Sequence, residues 1–272
     1  MRNIIILVIL CICLRVCVHD QHVLFATLKD HELLIYKLMQ TVQDLRCRIE
    51  RLEKEKKMKV TLVSSTANPA LLCGQAAAVC TNSSSPDSAL CHAVGSGHTS
   101  VLEHAVFTFK VDGLSRAALA QLTRHRLASF DVQSQRYVMI DGPELVIPES
   151  IKQSIFYYEA KSVMDIVLTL YRQMVEAGIP CEDARYITPQ AVPTELIMTM
   201  NARELLHFFS IRTCNRAQWE IRELADQMLK LCKQAEPRLF YDAGPSCVTG
   251  TCPEKRPCGH PRERGEWNAE AV

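Results

Sequence analysis

The sequence predicts an α+β fold, and three observations carry that reading. Lys59 to Ser65, Ala105 to Val111 and Glu195 to Met200 alternate apolar and polar residues with the period of two of a half-buried strand. Longer stretches between and after them repeat their apolar residues at helical spacing. The 272 residues are 48% hydrophobic and 22% charged, enough for one sizeable core or two modest ones. That composition excludes a disordered, collagenous or fibrous chain.

The first 57 residues read as an extension with no part in chemistry. Ile4 to Leu14 is apolar behind Arg2 and has the look of a signal-peptide core or short anchor. A helix needs about 20 apolar residues to span a bilayer. Arg15 interrupts this run, so membrane attachment through residues 4–18 is the disfavoured reading. Leu28, Ile35, Leu38, Val42, Leu45, Ile49 and Leu52 then recur at steps of three and four, with His31 filling one inward place. A coiled-coil arm and a single amphipathic helix both fit this seam, and the plain helix is favoured. We divide the chain into an extension (1–57), a main domain (58–242) and a tail rich in Cys, Pro and Gly (243–272).

From Met58 the elements follow in order. The first strand ends at the turn-former Asn68-Pro69. Ala70 to Cys80 is a helix, Thr81 to Asp87 a polar loop and Ser88 to Ala93 a short helix. The second strand stops at Asp112-Gly113. Ser115 can cap a helix from Arg116 to about Arg124, its hydroxyl accepting from a first-turn amide. Ser150 to Ala177 is one long helix stopped by Gly178 and Pro180. Cys181 to Tyr186 is a helical turn, Glu195 to Met200 the third strand, and Ala202 to Pro237 two helical stretches.

Lys plus Arg number 31 against 30 Asp plus Glu, so total charge gives no reason to expect general affinity for nucleic acid or acidic membrane. Residues 1–57 hold 10 of the basic and 7 of the acidic residues, leaving 21 against 23 in the remainder. A basic cluster there is therefore a local arrangement. Thirteen cysteines are many for this length. Cys73, Cys80, Cys181 and Cys232 sit among apolar residues, as reduced core thiols do, which places the chain in a reducing, cytoplasmic compartment.

Three clusters could carry chemistry. Arg124 to Tyr137 gathers three arginines, a histidine, two serines and two glutamines around one acid. Guanidinium forks match phosphate geometry, so this set suits an anionic ligand with polar edges; a solvated basic face is the plain alternative. His98, Glu103 and His104 lack the spacing of a helical zinc motif. In the third cluster, Arg203 and His207 lie one helical turn apart after Asn201, with Arg212 further on. Cys247, Cys252, Cys258 and His260 lack the tight pairs of a zinc ribbon, so no metal site is expected.

Arg124-His125-Arg126, seven further residues and then Ser134 resemble the signature of the flavin-dependent thymidylate synthases. The approach from Ser100 to His104, Ala184-Arg185, the Asn201-Ala202-Arg203 turn and the helix carrying Arg212 follow in that family's order. The resemblance runs from Met58 to about Gly259. It implies an antiparallel sheet flanked by helices and an FAD-dependent methyltransferase that converts dUMP to dTMP. Methylenetetrahydrofolate would give the carbon and NADPH would reduce bound FAD, with no enzyme cysteine attacking the pyrimidine. It also implies a homotetramer with shared sites and no stable nucleic-acid partner.

By position the resemblance assigns Ser100, Arg124, His125, Arg126, Asn201, Arg203 and His207 to FAD, and His98 to the neighbourhood of flavin and folate. Gln121, Arg124, Ser134, Gln135, Arg136, Arg185 and Arg212 fall to the nucleotide. Arg212 is the catalytic expectation, favouring ionisation of the uracil ring. Asp131 and Val132 stand where many members have Asn-Glu, and Arg216 where some have histidine. Two rivals use the same residues: a non-catalytic nucleotide- or RNA-binding protein, for which only Phe130 and Tyr137 offer stacking rings, and a pyrimidine-nucleotide hydroxymethylase.

Overall fold

In the computed structural model, residues 35–36, 58–140, 142 and 144–268 are described. The chain divides between Glu55 and Lys56. Of the first unit only Ile35 and Tyr36 are described, so the apolar stretch and nearly all of the heptad seam lie outside the described residues.

Four strands form one antiparallel sheet in the order β1-β2-β4-β3: β1 (Lys59–Ser65), β2 (Val106–Ser115), β3 (Ala128–Val132) and β4 (Pro193–Asn201). Alternation sets which face is buried. Phe107, Phe109 and Val111 of β2 and Leu196, Met198 and Met200 of β4 point into the core. Strand β2 does not stop at Asp112-Gly113. Gly113, at φ 84°, lets the register shift between Asp112 and Leu114, and pairing with β4 runs on to Ser115.

Helices α1 (Pro69–Thr81) and α2 (Pro86–Gly95) pack so closely that a Cβ on Gly74 would meet the Pro86 carbonyl oxygen at 2.6 Å. Ser115 caps α3 (Arg116–Leu122) by accepting from Ala118 N. The long helix expected from Ser150 is broken into α4 (Glu149–Lys152) and α5 (Tyr157–Glu176). Between them the Ser154 hydroxyl donates to Ile151 O and accepts from Phe156 N, local bonds that compete with the helical ladder. Ile155 is accordingly left 77% exposed.

Helix α6 (Cys181–Ala184) leads through a 3₁₀ turn (Arg185–Ile187) to β4. Two helices then follow, α7 (Ala202–Arg212) and α8 (Trp219–Ala235), before the short α9 (Pro237–Phe240). Phe208, Phe209 and Phe240 meet Phe107 in a chain of edge-on rings that ties α7 and α9 to the sheet. The tail is irregular yet packed: a 3₁₀ turn (Arg264–Trp267) seats Trp267 at 2% exposure. Among the described cysteines Cys73 and Cys232 are buried, Cys181 is half-buried and Cys80 is exposed. Cys80 lies in the last turn of α1, past its buried stripe, so it is no core thiol. No helix among the described residues is long and apolar enough to cross a membrane.

Candidate active site

Arg124, His125 and Arg126 occupy the short link between α3 and the edge strand β3. His125 alone of the three turns inward, to 6% exposure. Its Nδ1 lies 2.9 Å from Glu204 Oε1, and Arg212 Nε lies 3.1 Å from its Nε2. A guanidinium only donates, so Nε2 is the acceptor and Nδ1–H donates to the carboxylate. Burial, and next to it the charge of Arg212, hold the imidazole pKa below the ordinary histidine range, while the bond to Glu204 acts the other way. Phe208 packs edge-on against this ring at 4.9 Å, and the exposed His207 sits 6.0 Å away.

His125, Glu204 and His207 are the one group of three or more metal-type ligands brought together among the described residues. Both nitrogens of His125 already have partners and a guanidinium stands beside it, an environment built for a neutral imidazole rather than a cation. Among the described residues Cys247, Cys252, Cys258 and His260 form no such group.

Arg212 closes α7 and its Nη2 reaches Gln121 O at 3.5 Å. Burial, and then the like charge of Arg124, hold its pKa below the ordinary arginine value. One end of α3 thus gathers Gln121, Arg124, His125, His207 and Arg212. At the start of α7, Asn201 caps the helix by accepting from Glu204 N at 2.9 Å. Ala202 N donates to Ala105 O, which brings the 3₁₀ turn (Thr99–His104) alongside, and there Arg203 pairs with Glu103. Ser100 lies exposed on that turn and His98 exposed just before it, and Arg126 is exposed across the link.

A second cluster follows β3. The Ser134 hydroxyl accepts from Arg136 N, and Arg136 Nε pairs with Glu182 Oε2 at 2.7 Å. Arg185 Nε donates to Glu182 O at 3.1 Å, which holds it in the same neighbourhood. Gln135 Nε2 is buried with no hydrogen-bond partner among the described residues.

Sequence reasoning missed two members. Arg116, at the first position of α3, donates from Nη2 to Gln133 O, and its Nε is buried without a partner. Burial, and behind it the charge of Arg185, lower its pKa from the ordinary arginine value. A cation at a helix N-terminus opposes the helix dipole, so its placement directly after the capping Ser115 was the usable signal. Glu204 was legible as an acid three residues after a capping Asn, the capping-box position, but its reach to His125 spans 79 residues of chain.

Two open concavities, about 630 Å³ beside Met58, Trp219 and Asp226 and about 570 Å³ along α5, contain none of these residues. Around the buried His125 the expected site residues are half-buried (Gln121, Ser134, Gln135, Arg185, Asn201, Arg212) or exposed (His98, Ser100, Arg124, Arg126, Arg136, Arg203, His207).

The profile of the thymidylate synthase complementing proteins matches residues 61–238. A flavin-dependent thymidylate synthase of Geobacter sulfurreducens is 45% identical over 216 residues, covering 72% of this chain and 91% of that protein. One from Pyrococcus furiosus is 49% identical over 172 residues, covering 60% and 70%. Thymidylate synthase X of Helicobacter pylori, solved with FAD and dUMP, superposes with a TM-score of 0.57 at 28% identity, covering 68% of this chain and 98% of that one. A UMP/dUMP methylase of Streptomyces cacaoi bound with 5-bromo-dUMP gives 0.58 at 25% identity, covering 68% and 93%. With its sheet, its arginine–histidine link and most of its length matched, the chain belongs to the thymidylate synthase complementing protein family.

Proposed function

We propose that this protein is a flavin-dependent thymidylate synthase that methylates dUMP reductively to dTMP, with methylenetetrahydrofolate as carbon donor and NADPH as reductant through FAD. The observation that carries this is the buried His125 clamped between Glu204 and Arg212, with Arg124 beside them.

The donor set fits FAD. Arg124 and Arg126 are exposed guanidiniums without a carboxylate partner among the described residues, suited to a pyrophosphate. Asn201, Arg203, His207, Ser100 and His98 would complete the FAD and folate contacts around them. When bound, FAD supplies the hydride chemistry; the chain supplies binding, orientation and charge. Gln121, Ser134, Gln135, Arg136 and Arg185 would hold the nucleotide, the arginines taking its phosphate. Arg212 would face the uracil ring, where a fixed guanidinium favours a developing ring anion most strongly in a water-poor site.

The reading extends to assembly. Tyr158, Val163, Ile166 and Leu170 leave α5 with exposed apolar residues, which Ile155 and Phe156 extend into the break before it; this supports a homotetramer whose copies cover them and complete one another's sites. Free cysteines throughout the described residues support a reducing cytoplasm. The domain division at 58 and 243 belongs to the same reading.

The test is purification of the full chain. A yellow protein whose flavin spectrum responds to dUMP, and which forms dTMP from all three substrates, is the expected result. A colourless protein binding RNA with a steep salt slope would favour the nucleic-acid rival, and a hydroxymethylated product would favour the hydroxymethylase.

A further inference from the structure

The four residues after Arg212 have no regular structure of their own, and the tail holds three of them. Arg262 Nη1 donates to Thr213 O at 2.9 Å, Asn215 Nδ2 donates to His260 O at 2.8 Å, and Arg216 Nη1 donates to Arg256 O at 2.9 Å. Arg216 also pairs with Glu254 at 3.1 Å. These tail residues lie beyond position 238, where the family match ends.

Arg262 is the centre of the clasp. The same Nη1 reaches both carboxylate oxygens of Asp226 on α8, at 2.8 and 2.9 Å, and Nε reaches Glu266 at 2.7 Å. Its guanidinium lies 4.4 Å over the ring of Trp267, whose indole N–H donates to the same Asp226 at 2.8 Å. One planar fork therefore joins the exit of α7, the middle of α8 and the buried tryptophan of the tail. Arg212 needs such a hold. It sits in the last turn of α7, where helices fray, and beside the like charge of Arg124, which pushes it away.

We propose that Arg262 and the tail segment 254–267 are a positioning device for Arg212: by fixing the backbone at Thr213, Asn215 and Arg216 they keep the Arg212 guanidinium against His125 and toward the nucleotide. This rests on the functional reading above. Arg262 touches neither substrate nor cofactor in this account and acts through Arg212.

A double-mutant cycle on the full-length protein tests it. Arg262→Gln should weaken dUMP binding, measured by titration calorimetry, and the flavin spectral response to dUMP per bound FAD, each by about tenfold. In an Arg212→Ala background the same substitution should change neither. The pair Asn215→Ala and Arg216→Ala together, both at exposed positions, should reproduce a weaker form of the effect if Arg262→Gln does not fold. Equal losses with and without Arg212, or losses that follow FAD content alone, overturn the positioning role. A wild-type protein without FAD or response to dUMP overturns the functional reading itself, a different outcome from an active wild type indifferent to the tail.

Discussion

Arg212 Nε approaches His125 Nε2 at 3.1 Å, and because a guanidinium only donates, this contact makes Nε2 of the buried imidazole an acceptor. A protonated ring would set two donors against each other. In the unfolded chain His125 takes up its proton near pH 6.5; in the folded chain burial, and then Arg212, delay that to lower pH. Between the two values the unfolded state binds more protons, so the stability His125 contributes is present above about pH 6.5 and is lost as pH falls through the window. Denaturant midpoints measured from pH 7.5 to 5.5 should fall more steeply for the wild type than for His125→Gln. Parallel slopes would refute the assignment.

Glu204 is buried and serves the ring from its other side. Glu204→Gln keeps an acceptor for Nδ1–H and should cost little. Glu204→Ala leaves the donor unpaired in the core and should destabilise by about 1–3 kcal/mol in urea unfolding. If the alanine variant matches the glutamine variant, Nδ1–H is not the donor.

Glu220, at the first turn of α8, accepts from Ser115 N at 2.6 Å and from Ser115 Oγ at 2.5 Å, joining the end of β2 to α8. Burial raises its carboxyl pKa, and the two Ser115 bonds counter only part of this. The folded state then holds its proton longer than the unfolded chain, so this residue's contribution declines as pH rises from about 4.5 through the raised value. Glu220→Gln, able to accept and donate at the same places, should flatten that part of the profile. Glu220→Ala should cost about 2–4 kcal/mol, since two buried donors lose their acceptor.

Arg116 and Arg185 are like charges in one neighbourhood, an arrangement that an anion relieves. Arg116→Gln should weaken binding of dUMP and of inorganic phosphate several-fold while leaving affinity for deoxyuridine unchanged. Equal weakening of nucleotide and nucleoside would separate Arg116 from the phosphate.

Arg212→Ala should leave FAD bound while oxidation of the reduced flavin by dUMP and methylenetetrahydrofolate drops by about 10²-fold or more. Unchanged turnover would remove its role.

The strands β2 and β4 were readable because each buries one face, and β1 because its half-buried Val60 and Leu62 alternate with exposed residues, which writes period two into the sequence. β3 was not: Ala128, Phe130 and Val132 are half-buried and Ser129 and Asp131 exposed, but this alternation lasts only five residues inside a run dominated by arginines and glutamines, too short to stand out. The break before α5 was hidden because Ser154 is unremarkable in a helix until its hydroxyl bonds locally. Of the site, the arginines and histidines were legible from type and spacing. Arg116 and Glu204 left a local signal at their helix starts, but their roles were hidden because they depend on partners the fold supplies: Arg185 and Gln133 for one, His125 for the other. The tail's clasp was equally invisible, since it joins residues 36 and 49 positions apart.

β3 also gives the motif spacing a physical meaning. Five extended residues cover about 17 Å, and pairing with β4 from Ala128↔Met200 to Val132↔Leu196 pins each of them. The strand is a ruler between the Arg-His-Arg link at one end and Ser134-Gln135-Arg136 at the other. Adding or removing one residue would change the gap by about 3.4 Å and turn either Phe130 or Asp131 to the wrong face. The seven residues separating Arg126 from Ser134 are therefore a length, and a library that varies their identities should tolerate far more change than one that varies their number.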